Sequence, residues 1–144
     1  MELKNKIVFI DYEGTISEKP KGTQTEKPTL ADLLFNDVYS CCKPVQKFQE
    51  MLKTLKPENI IIVGISETTN EIAQKFKWLE KHFPYIIKEN VFFIGSNIRK
   101  ADVIEAVVKN KKFKKEDVVF IDDKNGHLAF AKELGYTCFN ASEI

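Results

Sequence analysis

Five short runs of consecutive apolar residues, rich in β-branched and aromatic side chains, stand out along the chain. Such a run is typical of a strand buried on both faces, as in a parallel sheet, because a strand with one wet face alternates apolar with polar residues. The runs predict five strands: Ile7–Ile10, Ile60–Ile65, Val91–Ile94, Val118–Ile121 and Tyr136–Phe139.

Between these runs, apolar residues recur at the three- and four-residue spacing of an amphipathic helix. Gly135 follows the last of these stripes in the usual place for a helix C-cap. Strands that alternate with helices predict an α/β fold built on a parallel sheet. The stripes are Val45, Phe48, Leu52 and Leu55; Ile72, Phe76, Leu79 and Phe83; Val103, Ile104, Val107 and Val108; and Leu128, Ala131 and Leu134.

Residues 17–43 interrupt this alternation. They contain Pro20 and Pro28, and they far exceed the length of about 2–6 residues that is common for a strand-to-helix loop. We interpret the segment as an insertion, a flap or minimal cap, in a single domain that spans residues 1–144. It is long enough for a hairpin or a short helix around Leu30–Phe35 and too short for a separate cap domain. Its position after the first strand favours a functional role.

Composition excludes several classes of protein. Of the 144 residues, 43% are hydrophobic and 30% are charged, which excludes a disordered or fibrous chain. The net charge of +1 provides no long-range attraction to nucleic acid or to a membrane. We interpret the lysine cluster at 109–115 as a solvated surface, and we expect no nucleic-acid partner. Three cysteines, with no secretory signal segment before them, lead us to expect a cytoplasmic protein.

Polar residues follow the predicted strands at the points where the strands end. In an open parallel sheet these ends form the ligand-binding edge. Carboxylates grouped there repel one another unless a cation lies between them, and oxygen ligands favour Mg²⁺. A lysine and a hydroxyl group beside that cation would bind phosphate oxygens, one carboxylate could attack phosphorus, and another could protonate the leaving oxygen. Those at the strand ends are Asp11, Glu13, Ser66, Asp122 and Asp123, and Lys100 lies in the segment that follows the third strand.

Four segments resemble the motifs of the haloacid dehalogenase-like phosphohydrolases. The run Ile7–Ile16 contains Asp-Tyr-Glu-Gly-Thr, and the first motif of that family is four apolar residues followed by Asp-x-Asp-Gly-Thr. Ile62–Ser66 resembles the second motif, and the segment that begins at Lys100 resembles the third. Val118–Asp123, with Leu128–Gly135 after it, resembles the fourth. The motifs occur in the family's order and cover nearly the whole chain.

The resemblance implies a Mg²⁺-dependent phosphomonoester hydrolase that acts through an aspartyl-phosphate. In this interpretation Asp11 is the nucleophile and a Mg²⁺ ligand. Glu13 takes the place of the family's acid/base aspartate and binds the metal through its backbone carbonyl. Asp123 completes the metal site, with Asp122 next to it.

The resemblance also assigns phosphate-binding residues and a topology. Ser66 would hydrogen-bond the phosphoryl group, and Lys100 would neutralise both Asp11 and the phosphate. The implied fold is a Rossmann-like five-stranded parallel sheet of order 5-4-1-2-3 with helices on both faces, which places the first and fourth strands side by side. The substrate class would be a small phosphorylated metabolite or a nucleotide, and the oligomeric state is open.

Several alternatives stay open at this point. Glu13 stands where the family usually has Asp, so a catalytically weak or inactive domain that binds a phosphorylated ligand or a protein partner is the alternative function. His127, where the family often has Asp or Asn, either hydrogen-bonds the metal carboxylates or is a partly exposed helix residue, and we favour the second. The segment Lys77–Pro84 bears a weak resemblance to small deoxynucleotidases of the superfamily, although an ordinary helix has the same pattern. A receiver domain has similar residues in another order, which argues against it.

Overall fold

The computed structural model describes residues 2–144, in which strands and helices alternate. The strands are β1 (Ile7–Ile10), β2 (Ile60–Ile65), β3 (Val91–Ile94), β4 (Val118–Asp122) and β5 (Thr137–Asn140). The helices are α1 (Leu30–Phe35), α2 (Gln46–Lys53), α3 (Thr69–His82), α4 (Lys100–Lys111) and α5 (Asn125–Glu133).

The five strands form one parallel sheet in the order β3-β2-β1-β4-β5. This is the predicted order 5-4-1-2-3 read from the opposite edge, so the predicted fold class is confirmed. In the centre of the sheet, Phe9 of β1 is paired with Ile61 of β2 and with Phe120 of β4. The carboxyl ends of β1 and β4 are therefore neighbours.

Helices cover both faces of the sheet and bury two apolar cores. Val8 and Ile10 of β1 face α2 and α3, where Phe48 and Trp78 are buried. The alternate β1 residues face α4 and α5 in the second core. Because β1, β2 and β4 are covered on both sides, every position of these strands favours an apolar residue, which explains the continuous runs in the sequence.

The segment between β1 and α2 contains the short helix α1, at the place where the sequence allowed one. A capping box starts this helix: Thr29 Oγ1 accepts a hydrogen bond from the Asp32 backbone N–H, and the Asp32 carboxylate accepts one from the Thr29 N–H. The helix is held against α3 by polar contacts, among them a hydrogen bond of 2.7 Å from Thr68 Oγ1 to the Leu33 carbonyl. Among residues 2–144, no helix has the length and apolar character to cross a bilayer.

Candidate active site

Three aspartates converge at the carboxyl ends of β1 and β4. Oxygens of Asp11, Asp122 and Asp123 lie within 4.8 Å of one another. Asp11 and Asp122 are buried, and Asp123 is partly exposed. The strand order brings together residues that are far apart in the chain, as the metal-site argument required. An all-oxygen cluster of this kind fits Mg²⁺, which takes one or two carboxylates and keeps several waters.

Lys100 places a positive charge inside the aspartate cluster. Its ammonium group donates hydrogen bonds to Asp11 Oδ1 at 2.5 Å and to Asp122 Oδ2 at 2.8 Å. All three side chains are almost completely buried, so these contacts are weakly screened by water. Lys100 is the first residue of α4, and that position directs its side chain across the crevice to the end of β1.

The pKa values of the two buried aspartates are shifted in opposite directions. Burial raises the pKa of Asp11 to about 7, and the charge of Asp122 adds to the rise, although Lys100 opposes it. Burial would also raise the pKa of Asp122, but hydrogen bonds from His127 and Lys100 outweigh it and lower that pKa to about 2. A divalent cation beside Asp11 would favour its ionised form. The donor set therefore fits Mg²⁺.

The loop after β1 turns sharply and brings its backbone close to the cluster. The backbone N–H groups of Thr15, Ile16 and Ser17 all lie 3.1–3.3 Å from the Tyr12 carbonyl oxygen. Gly14 has a φ of 76°, and a Cβ atom at this residue would lie 2.5 Å from Asp123 Oδ2. Glycine is therefore required here both for the backbone conformation and for the close approach of the loop to the carboxylate.

The hydroxyl of Thr15 completes the environment of Asp11. Thr15 Oγ1 donates a hydrogen bond of 2.9 Å to Asp11 Oδ2, while Lys100 binds Oδ1. Both oxygens of Asp11 thus have a donor, so the carboxylate is fixed in one orientation. Thr15 is the threonine of the first motif, and the sequence alone predicted no role for it.

His127 contacts the aspartate cluster, contrary to the interpretation that we favoured from sequence. Its Nδ1 lies 3.2 Å from Asp122 Oδ2, and the backbone N–H of Lys124 donates to Asp122 Oδ1 at 2.9 Å. The ring is partly exposed as well, so the favoured interpretation was right about the exposure of the ring and wrong in assigning it no contact with the aspartates. The first turn of α5 follows β4 directly, and this short connection brings the ring back over the strand end.

Glu13 and Ser66 follow β1 and β2 at the same edge of the sheet, and Glu13 lines the crevice above the aspartates. They share a partner that was not predicted from the sequence. Lys75 Nζ of α3 lies 2.9 Å from Glu13 Oε1 and 2.8 Å from Ser66 Oγ. The hydroxyl of Tyr39, from the segment before α2, donates to Glu13 Oε1 at 2.7 Å. Neither Glu13 nor Ser66 forms a hydrogen bond with Asp11 among the described residues. Their catalytic and phosphate-binding roles stay predictions.

The inward face of α3 differs from the stripe that the sequence predicted. Ile72 and Phe76 are only half-buried, whereas Glu71, Lys75 and Trp78 are buried. The sequence contained a signal for this, because Lys75 lies three residues after Ile72 and four residues before Leu79 and is therefore close to the apolar face of the helix. The apolar pattern of the helix does not indicate that one of its lysines is buried.

The crevice above the aspartates is small and opens into a larger cleft. It has a volume of about 70 Å³ and is lined by Asp11, Glu13, Lys100 and Asp123 among others. The adjoining cleft, of about 500 Å³, shares Glu13 with the crevice. Residues of the segment between β1 and α2 form one wall of this cleft.

Comparison with protein families finds one match that covers most of the chain. A family model described as "5' nucleotidase, deoxy (Pyrimidine), cytosolic type C protein" matches residues 20–134. The matched region includes the counterparts of the second to fourth motifs and begins after Asp11 and Glu13. A search of curated proteins found no significant relative.

Comparison with solved structures finds similar folds at low sequence identity. A chain of the structure described as "Structure of Pnkp1/Rnl/Hen1 complex" is 18% identical at a TM-score of 0.58, and covers 96% of this chain and 45% of its own length. A chain of the "Pnkp1/Rnl/Hen1 RNA repair complex" is 19% identical at a TM-score of 0.59, and the match covers 94% of this chain and 42% of the other. This chain thus spans less than half the length of either. A HAD family enzyme from Bacteroides thetaiotaomicron, solved with magnesium and inorganic phosphate, is 18% identical at a TM-score of 0.40. That match covers 66% of this chain and 50% of the other.

Proposed function

Because the chain belongs to the family of 5′ nucleotidase, deoxy (pyrimidine), cytosolic type C proteins, and is thus a phosphohydrolase of the haloacid dehalogenase-like superfamily, we propose that it is a Mg²⁺-dependent 5′-nucleotidase with Asp11 as nucleophile. The superfamily and the enzyme class predicted from the four motifs are confirmed by this match. The observation that carries the finer proposal is the convergence of Asp11, Asp122, Asp123 and Lys100 at one strand edge.

Mg²⁺ would be held by the carboxylates of Asp11 and Asp123 and by the backbone carbonyl of Glu13. When bound, it would polarise the phosphoryl oxygens and neutralise their developing charge. Asp122 is fully buried and is already bound by Lys100 and His127, so we assign it to positioning Lys100 rather than to direct contact with the metal.

The proposed reaction has two displacements at phosphorus. A carboxylate oxygen of Asp11 forms a bond to phosphorus as the ester P–O bond breaks, and Glu13 gives a proton to the leaving oxygen. A water then attacks the same phosphorus, Glu13 takes its proton, and the bond to Asp11 breaks to release inorganic phosphate. Lys100 lies on Asp11 Oδ1, where it can keep the nucleophile ionised and attract the phosphate. Ser66 would donate its hydroxyl hydrogen to a phosphoryl oxygen.

The larger cleft is the proposed place for the nucleoside. Glu13 lines both the crevice and this cleft, so a leaving oxygen protonated by Glu13 would lie at their junction. The cleft's volume of about 500 Å³ falls in the range of about 300–1,000 Å³ that is usual for small-molecule sites. Lys19, Lys27 and Leu33 line its outer wall. We therefore propose that residues 17–43 act as a minimal cap that selects the substrate.

The substrate class and the cellular location follow from the same proposal. The substrate is a phosphorylated small molecule, and we propose a deoxyribonucleoside 5′-monophosphate with a pyrimidine base because the matched family's description names that class. The same description contains the words "cytosolic type", which support a cytoplasmic location.

The test is hydrolysis of a panel of nucleoside monophosphates and nitrophenyl phosphate with Mg²⁺. Asp11→Asn should lower turnover by about 10³-fold or more, because the covalent step loses its nucleophile. Asp117→Asn is the matched control, since Asp117 precedes β4 at the opposite end of the sheet. Calorimetry should show Mg²⁺ binding that Asp123→Asn weakens and Asp117→Asn does not. Most of the activity surviving in Asp11→Asn would exclude the mechanism. Phosphate binding without turnover in the wild type would support the non-catalytic alternative.

A further inference from the structure

Lys75 of α3 is a fully buried lysine that the reaction described above does not use. Its ammonium group lies 2.9 Å from Glu13 Oε1 and donates hydrogen bonds to Ser66 Oγ at 2.8 Å and to the Ile65 carbonyl oxygen at 2.9 Å. An ammonium group has three donors and no acceptor. All three donors therefore point to the edge of the sheet where the aspartates lie.

The surroundings of Lys75 show how a buried cation is tolerated. The rings of Tyr12, Tyr39 and Phe93 have their centres between 5.0 and 5.5 Å from Nζ, and Glu71 Oε2 lies 3.9 Å away. These rings and carboxylates offset part of the cost of removing the charge from water. A protein with a well-packed apolar side chain at such a site is often no less stable than one with a buried ion pair. Stability of the fold alone therefore does not explain why a lysine is present.

The contacts of Lys75 fix the carboxyl of Glu13. Lys75 and the Tyr39 hydroxyl both contact Oε1, at 2.9 and 2.7 Å, which leaves Oε2 available for proton transfer. Glutamate has one more rotatable bond than the aspartate that is usual in the superfamily, and its carboxyl extends about 1.5 Å further. Without an anchor this longer side chain would occupy several rotamers. Two contacts on one oxygen select one of them.

Lys75 also determines the direction of the Ser66 hydroxyl. Because Ser66 Oγ accepts a hydrogen bond from the ammonium, its own hydrogen must point elsewhere. It is then free to be donated to a phosphoryl oxygen. One buried lysine thus contacts both side chains that were predicted to act on the leaving group and on the phosphate.

We propose that Lys75 is a positioning residue of the phosphatase site, which fixes the Glu13 carboxyl for proton transfer to the leaving oxygen and orients the Ser66 hydroxyl towards the phosphoryl group. The proposal rests on the proposed function, because it concerns the same proton transfer. Lys75 touches no reacting atom and acts through its two partners.

The test variant is Lys75→Met combined with Glu71→Gln. Methionine has a similar length, and its thioether packs well against aromatic rings. Removal of Lys75 alone would leave the carboxylates of Glu13 and Glu71 without their cation, and the second substitution restores the charge balance. Glutamine at 71 keeps a carbonyl oxygen for the hydrogen bond from the Thr68 backbone N–H at the start of α3. Glu71→Gln alone is the reference, so any effect of that change cancels.

Two substrates separate positioning from general damage. Nitrophenolate leaves without a proton, whereas the alkoxide of a nucleoside monophosphate needs one. Relative to Glu71→Gln, the double variant should lose about 100-fold in kcat/KM on the nucleotide and less than about tenfold on nitrophenyl phosphate. In a Glu13→Gln background the selective loss should disappear, because no acid is left to position. Equal losses on both substrates, no loss on either, or a selective loss that persists without Glu13 would each overturn the proposal.

Crystal structures of the double variant and of Glu71→Gln give a readout that does not depend on turnover. The Glu13 carboxyl should move by about 1 Å or more, or occupy several rotamers, only when Lys75 is replaced. An unchanged Glu13 and Ser66 would overturn the proposal. If the wild type hydrolyses no phosphate but this displacement occurs, the proposed function fails while the positioning contact stands.

Discussion

Replacement of Gly14 with alanine tests the loop that connects β1 to the aspartate cluster. The new Cβ would lie 2.5 Å from Asp123 Oδ2 and 2.9 Å from Lys19 Cε, whereas ordinary contact begins at 3.4 Å. The Asp123 carboxylate must therefore retreat by about 0.9 Å, or the loop must move by a similar distance. A displacement near 1 Å at a reacting centre can cost about 100-fold in rate.

The effect of Gly14→Ala on stability should be small beside its effect on function. The φ of 76° costs an alanine about 1–2 kcal/mol. The stiffer unfolded chain returns about 0.4–1 kcal/mol. The free energy of unfolding should thus fall by only about 1 kcal/mol, measured by urea denaturation without metal.

Gly126→Ala is the matched control, because a Cβ at Gly126 meets nothing within 4 Å and the residue lies in the first turn of α5. Alanine there should raise stability by about 0.5–1 kcal/mol and leave Mg²⁺ binding unchanged. For Gly14→Ala we expect calorimetry to show Mg²⁺ affinity reduced by about 10–100-fold, a loss typical of disturbed metal surroundings, together with the loss of turnover. Equal Mg²⁺ affinity and turnover in the two variants would refute the assignment of Asp123 and its loop to the metal site.

Two further predictions concern buried charges. Lys100→Met should lower the free energy of unfolding by about 3–5 kcal/mol, because it leaves two buried carboxylates without their cation. The control is Lys109→Met, since Lys109 is exposed. Similar urea midpoints for the two variants would contradict the prediction. Hydrogen bonds from the backbone N–H of Thr29 and from the Thr23 hydroxyl lower the pKa of Asp32 below its ordinary value of 3.8. These bonds therefore stabilise α1 above that pH and are lost as the pH falls through the lowered pKa. Protection of the α1 amides from hydrogen exchange, measured relative to their intrinsic rate at each pH, should fall as the pH falls through the lowered pKa. The variant Asp32→Ala should show little protection even at neutral pH, and full protection in that variant would argue against the anchor.

The sequence by itself determined the sheet and the identity of its chemical edge. Continuous apolar runs favour strands in a sheet covered on both faces, and they marked the five strands to within a residue at each end. The central strands β1, β2 and β4 are buried as that pattern predicts, whereas the edge strands β3 and β5 are only partly buried. Polar residues in the segments that follow parallel strands lie at one edge of the sheet, so Asp11, Lys100 and Asp123 could be grouped before any distance was known. The strand order, which placed β1 beside β4, came from the fold implied by the family resemblance of the four motifs.

Only the tertiary structure decided which side chains meet across elements. Lys75 faces inward because α3 is rotated so that Glu71 and Trp78 are buried, and that rotation depends on packing against the sheet and the inserted segment. Tyr39 reaches Glu13 because α1 is anchored on α3, and His127 reaches Asp122 because the turn after β4 is short. Apolar periodicity reports the burial of a helix face averaged over several turns. A single buried charge depends instead on contacts within about 3 Å between distant parts of the chain, which local pattern does not encode.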